Sequence, residues 1–302
     1  MASQLFGWLA FAFLYSQISL AKDASQHLMA ADQAAAALCS SKGEGIHQIG
    51  KAICLNGFIS PETAYAFTNI WEKSNLAQER VAPSLLIVNS GGGSVHDAMK
   101  IGYSMKENGV RIVVSEYCAS SCANYLIPAA KSVAVLPNSI ILMHGSIPRR
   151  RADFIDMRLL YRNITNDDLL KDGSPFFEEW KKFPEFYMKE VVSENKFLLD
   201  MEVDEFYLTS FIFLDDTVRN NKITKCRPKK GLALVLDENY LGRYTRKEVD
   251  YFWFPSVSQT KKLLQEFPNT SADFDLYFGF ETSPRWIAGG SNARRSKCKM
   301  AG

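Results

Sequence analysis

The chain has 302 residues, 47% hydrophobic and 23% charged, enough length and apolar content to bury a substantial core and too much apolar content for a disordered polymer. Its 35 Lys and Arg against 33 Asp and Glu leave a net charge of +2, so there is no electrostatic case for nucleic acid as a partner, which needs a clustered basic patch. The short basic cluster Arg149-Arg150-Arg151 reads as a solvated loop.

Residues 1–21 carry no charged side chain, and Leu5 to Tyr15 form an apolar core too short to span a bilayer. With Ser19 and Ala21 at the small-residue positions before a cut, this reads as a signal peptide, and the mature chain begins at Lys22. An uncleaved anchor is the alternative. Export to the periplasm or beyond also accounts for the cysteines. All six, Cys39, Cys54, Cys118, Cys122, Cys226 and Cys298, survive the cut and allow up to three bridges. A local Cys39 to Cys54 bridge is the preferred pairing.

From the cut onward, Ala30 to Leu38 predicts a short helix and Cys39 to Cys54 a glycine-containing loop. Ile53 to Ile59 predicts a strand, and Pro61 starts a helix through about Ser74. Leu85 to Val88 is an apolar run entering a turn with Gly91, Gly92 and Gly93. A 3.6-period segment follows from His96 to Asn108 and stops at Gly109. A β-branched run, Arg111 to Val114, then leads through Cys118-Ala-Ser-Ser-Cys122 into a helix ending near Pro128. Short strands at Ser132 to Leu136 and Ile140 to Met143 flank a turn at Pro137-Asn138 and deliver His144.

The segment from Gly145 to Gly173 is polar and interrupted. Phe176 to Leu199 reads as two helices kinked at Pro184, and the acidic stretch Asp200-Met-Glu-Val-Asp204 follows. Residues 22–228 read as the main domain and 229–302 as a C-terminal extension of unassigned role. The extension holds a strand at Gly231 to Leu236, a capping box at Thr245 to Glu248, a helix from about Ser258 to Phe267, and aromatic residues Tyr251 to Phe254 that read as core.

A serine hydroxyl is a useful nucleophile only when a base takes its proton and donors wait for the oxyanion. Ser121, at a helix start, and His144, at a strand end, have the right types for this, and Gly93 lets backbone approach a substrate closely. On the residues alone, a packing serine and a structurally satisfied histidine remain open. Cys118 and Cys122 could bridge each other or, with His144, ligate a metal, although no fourth ligand is evident.

Asn89-Ser-Gly-Gly-Gly93 resembles the Asn-Ser-Pro-Gly-Gly turn of the Clp protease proteolytic subunit and the signal peptide peptidase A group, with Gly91 in place of the proline. Ala119-Ser-Ser121-Cys-Ala is similar to the family's nucleophile turn, and His144 follows 23 residues on, from 121 to 144, in family order. The resemblance implies an α/β fold, a Clp/crotonase-like spiral of strand-strand-helix units. It implies a serine peptidase with Ser121 as nucleophile, His144 as base and Asp204 as the third residue. The amides of Gly93 and Cys122 become the oxyanion hole. A peptide or protein substrate and a homo-oligomer are implied, with no cofactor and no metal. An exported enzyme would lack an ATP-driven unfoldase. The rival is a catalytically silent binding or assembly protein on the same fold.

Overall fold

The computed structural model describes residues 24–76, 83–144, 185–204, 207–208, 232–266, 275–278 and 285–287. Helix α1 covers residues 24–40, longer than the sequence suggested. The loop expected between Cys39 and Cys54 contains a further strand, β1 (Gly45–Ile49), turned through Gly50 and Lys51 onto β2 (Ala52–Ile59). Cys39 and Cys54 are bridged, with Cα atoms 5.4 Å apart, as the sequence preferred. Helix α2 (Pro61–Leu76) starts where Ser60 and Thr63 exchange bonds: the Ser60 N–H donates to Thr63 Oγ1 at 2.7 Å and the Thr63 N–H to Ser60 Oγ at 3.4 Å. That reciprocal cap, with Pro61 first in the helix, satisfies amides that have no partner within it.

Strand β3 (Leu85–Gly93) runs parallel to β2 and absorbs all three glycines, so the expected turn is a strand end. Ser94 then caps α3 (Val95–Glu107), accepting the Asp97 N–H. Strand β4 (Arg111–Ala119) is twice the apolar run that announced it. It pairs with β3 along one edge and divides its other edge between β5 (Ser132–Val135) and β6 (Ile140–Met143). Val114 faces Val135 of β5, whereas Tyr117 already faces Ile140 of β6. At the changeover Glu116 has φ 74°, and its N–H donates to Ser139 Oγ at 2.8 Å.

Leu86, Val88, Ile112, Val114, Val133 and Val135 point to the core shared with α2 and α3. Ile87, Val113 and Ala134 pack on the other face against Ala36 and Cys39 from the α1 side. Burial on both faces is why these strands read as unbroken apolar runs.

Helix α4 spans Glu185–Asp200; the first expected helix and the kink at Pro184 lie outside the described residues. Its Phe197 ring meets Tyr103 and Tyr125 edge-on at 5.2 and 5.7 Å. The described strands after residue 231 join the same sheet. Strand β7 (Leu232–Val235) pairs antiparallel with β6, and helix α5 (Glu238–Thr245) is capped by Asp237. Strand β8 (Glu248–Phe252) runs parallel to β5 and is followed by α6 (Val257–Glu266). Strands β9 (Asp275–Phe278) and β10 (Arg285–Ile287) continue beyond β7. The capping box read at Thr245 to Glu248 is corrected: Thr245 ends α5, its hydroxyl bonds back to the Leu241 carbonyl at 2.7 Å, and Glu248 opens a strand. Among the described strands most pairings are parallel, giving a mixed α/β architecture consistent with the Clp/crotonase-like spiral.

The tract after 232 is also clamped by charge. Arg111, at the start of β4, donates to both carboxylate oxygens of Asp32 in α1, at 3.0 and 2.6 Å, and its Nε bonds Asp250 in β8. Tyr251 donates to Asp32 at 2.6 Å and Ser132 to Asp250 at 3.1 Å. Burial works against the Arg111 charge, but the two carboxylates outweigh it and hold the guanidinium more firmly protonated than usual. Removing one partner strands the others. Arg111→Ala should therefore cost on the order of 3 kcal/mol, read as a lowered urea midpoint, and Arg111→Lys should recover only part because it loses the two-pronged contact.

Candidate active site

Gly93, Ser121 and His144 lie at or just beyond the C-terminal ends of β3, β4 and β6. In parallel register Ala119 faces Leu142, and the Ser120 N–H donates to the Leu142 carbonyl at 3.0 Å. Ser121 and His144 therefore each lie two residues beyond a facing pair, on adjacent strands spaced about 4.8 Å apart. Ser121 is 3% exposed and His144 is half-buried.

The serine is reached through a sharp bend. Ser120 has φ 57°, left-handed for a residue with a side chain, and the chain then enters a π-helix, Cys122–Leu126, which runs on as a helical turn to Ala129. Strained backbone and single π-turns both occur at functional sites more than elsewhere. Ser121 Oγ donates to the Gly93 carbonyl at 2.7 Å, so the hydroxyl lies against one of the two residues expected to supply oxyanion donors. The other, Cys122, is its chain neighbour.

The glycines explain the closeness. A Cβ on Gly92 would lie 2.6 Å from the Ala119 carbonyl oxygen and 2.7 Å from the Ser121 nitrogen, and one on Gly93 would meet the Ile59 carbonyl oxygen at 2.1 Å. Both residues also hold positive φ, 91° and 149°. At Gly91, where the resemblance expects proline, a Cβ would touch only the Tyr117 ring at 3.5 Å, an ordinary contact. The departure from the family pattern thus falls where the packing is permissive.

Cys118 and Cys122 are bridged to each other across the bend, fully buried, with Cα atoms 5.3 Å apart. Sulfurs joined this way are not thiolates, which removes the basis for a metal held by Cys118, Cys122 and His144. Cys226 and Cys298 lie outside the described residues.

Asp204 sits half-buried in the turn beyond α4. Its N–H donates to the Tyr244 carbonyl at 2.8 Å and its carbonyl accepts the Tyr207 N–H at 2.9 Å. Tyr207 in turn donates its hydroxyl to the Ala123 carbonyl at 2.7 Å, two residues past Ser121. The other nearby carboxylate, Asp200, is engaged elsewhere, accepting Tyr103 at 2.8 Å and Lys196 at 2.6 Å. Burial raises its pKa, but those bonds and the Lys196 and Lys106 charges leave it below the ordinary carboxylate value. Sequence reading did not single out Tyr207 or Tyr240. Their partners are 84 and 97 residues away, and no local pattern reports such contacts.

Residues 52–168 match the Clp protease family model. Over these residues the chain is similar to that family. The match takes in β2 through β6 and therefore Gly93, Ser121, Cys122 and His144. The match to a protease family suggests peptidase activity. No curated protein matches the chain.

The glycine contacts set a sharp contrast. Gly92→Ala should displace the Ser121 turn and cost on the order of 1–3 kcal/mol, whereas Gly91→Ala should leave the thermal midpoint nearly unchanged. Melting curves of the two variants check this.

Proposed function

We propose that the protein is an exported serine peptidase working through an acyl-enzyme. The observation that carries the reading is the pairing of β4 with β6 inside the Clp protease-like region, with Ser121 and His144 following the ends of the two strands. Ser121 Oγ attacks the substrate carbonyl carbon while His144 accepts the hydroxyl proton. The amides of Gly93 and Cys122 receive the oxyanion. Collapse expels the amine, which takes the proton from His144, and a water activated by His144 then cleaves the acyl-enzyme. Asp204 accepts the second imidazole N–H, holding the tautomer that leaves the other nitrogen free to act as base. Asp200 is the weaker candidate because Tyr103 and Lys196 already occupy it.

Removal of residues 1–21 and export are part of the proposal. Two bridged cysteine pairs support an oxidising compartment. A homo-oligomer is proposed on the habit of the family. The competing reading, a silent protein on the same fold, draws on the Ser121 hydroxyl, which is buried and bonded to a carbonyl.

A fluorophosphonate probe separates the two readings. Labelling at Ser121, lost in Ser121→Ala, is the expected result, and an unlabelled, well-folded protein would establish the silent one. Asp204→Asn should lower turnover on the order of ten-thousand-fold with stability nearly unchanged, while Asp200→Asn should keep it. Intact mass of the native protein should begin at Lys22, and sedimentation at micromolar concentration should show an oligomer. A retained Met1 removes the export claim, and a strict monomer removes the assembly claim.

A further inference from the structure

We propose that Tyr207 and Tyr240 are positioning residues that fasten the segments of Ser121, His144 and Asp204 to one another; the inference rests on the peptidase reading above. Strand pairing holds the ends of β4 and β6 side by side, but Asp204 lies beyond α4, outside any strand. Two backbone bonds secure it, one to Tyr207 and one to the carbonyl of Tyr244 in α5. From there the tyrosines lead to the other two segments.

Tyr207 reaches the nucleophile helix. A carbonyl in a π-helix looks to the N–H five residues on, and for Ala123 that residue is Pro128, which has none. The next candidate, the Ile127 N–H, is taken by the Cys122 carbonyl. The Tyr207 hydroxyl donates to the Ala123 carbonyl instead, at 2.7 Å. Tyr240, on α5, donates its hydroxyl to the Tyr207 carbonyl and lies 3.9 Å from Met143 Sδ, the residue before His144. The rings of Tyr207, Tyr240 and Tyr244 pack in series, with centroids 5.8 and 4.7 Å apart and planes tilted by 52° and 59°.

Tyr207 is 0% and Tyr240 2% exposed, so each hydroxyl needs its partner inside the protein. Burial, and then the neighbouring Tyr240, pushes the Tyr207 hydroxyl far above the usual tyrosine range, which keeps it a donor at any working pH. The tract after 232 thus contributes Tyr240 and the Tyr244 carbonyl to the site without reaching the reacting atoms.

The test removes one hydroxyl and keeps each ring, in Tyr207→Phe and Tyr240→Phe of the full chain. Peptide hydrolysis and fluorophosphonate labelling are read beside amide hydrogen exchange at Asn124, which bonds the Ser120 carbonyl, and at Asp204, which bonds the Tyr244 carbonyl. We expect kcat to fall by about ten- to a hundredfold with KM within about twofold, since small displacements of reacting groups act on the transition state. Exchange at both amides should quicken while that of the β3 and β4 amides holds. Unchanged exchange at Asn124 and Asp204, or unchanged kcat, overturns the proposal, and a loss confined to KM does the same. If the native chain neither hydrolyses nor labels while the two amides respond, the peptidase reading falls and the fastening stands. Should Tyr207→Phe fail to fold, Tyr240→Phe carries the test, because its hydroxyl lies one bond further from the nucleophile helix.

Discussion

A strand has two edges, and β4 needs three neighbours. One edge belongs to β3, and the other serves β5 as far as Val114 and β6 from Tyr117. The changeover forces an irregularity in the chain. It is met by Glu116 in a left-handed conformation, the Ser139 hydroxyl on its N–H, and the Asn89 side chain on its carboxylate at 2.6 Å. Without that exchange of partners, β6 would have no place at the end of β4, where Ala119 faces Leu142.

The bend after β4 is held by several weak constraints acting together. The glycine pair admits the approach of β3, the Leu142 carbonyl holds the Ser120 amide, and the Cys118 to Cys122 bridge closes the loop. A loop this short gains only about 2 kcal/mol from cross-linking, less than the roughly 3 kcal/mol expected of the longer Cys39 to Cys54 loop. Its local effect is geometric, since it ties the strand end to the first residue of the π-helix.

Much of the central unit was legible because its physics is local. The β3 apolar run, the periodicity of α3, the strand before His144 and the Cys39 to Cys54 bridge all follow from neighbours in sequence. Elements set by distant partners were not. β1 is short and weakly apolar and exists as the hairpin partner of β2. The second half of β4 contains Glu116 and reads as a break, yet it is required by β6. Thr245 and Glu248 carry the spacing of a helix start, but Asp237 had already capped the helix that Thr245 ends. At the site, Ser121 and Gly93 were readable from motif spacing and meet at 2.7 Å, whereas the tyrosine contacts join residues without any shared local pattern.

The pairing of β8 with β5 has a consequence for the order of events during synthesis. Residues 132–135 emerge from the ribosome long before 248–252, so the β5 edge must wait for more than a hundred further residues to be made. Arg111 likewise meets Asp250 only then, and the Asp204 amide must wait for Tyr244. The growing chain therefore carries its serine turn in an unfinished setting until its last third has been added. On the peptidase reading proposed above, such a delay keeps the chain from cutting its neighbours during its own manufacture.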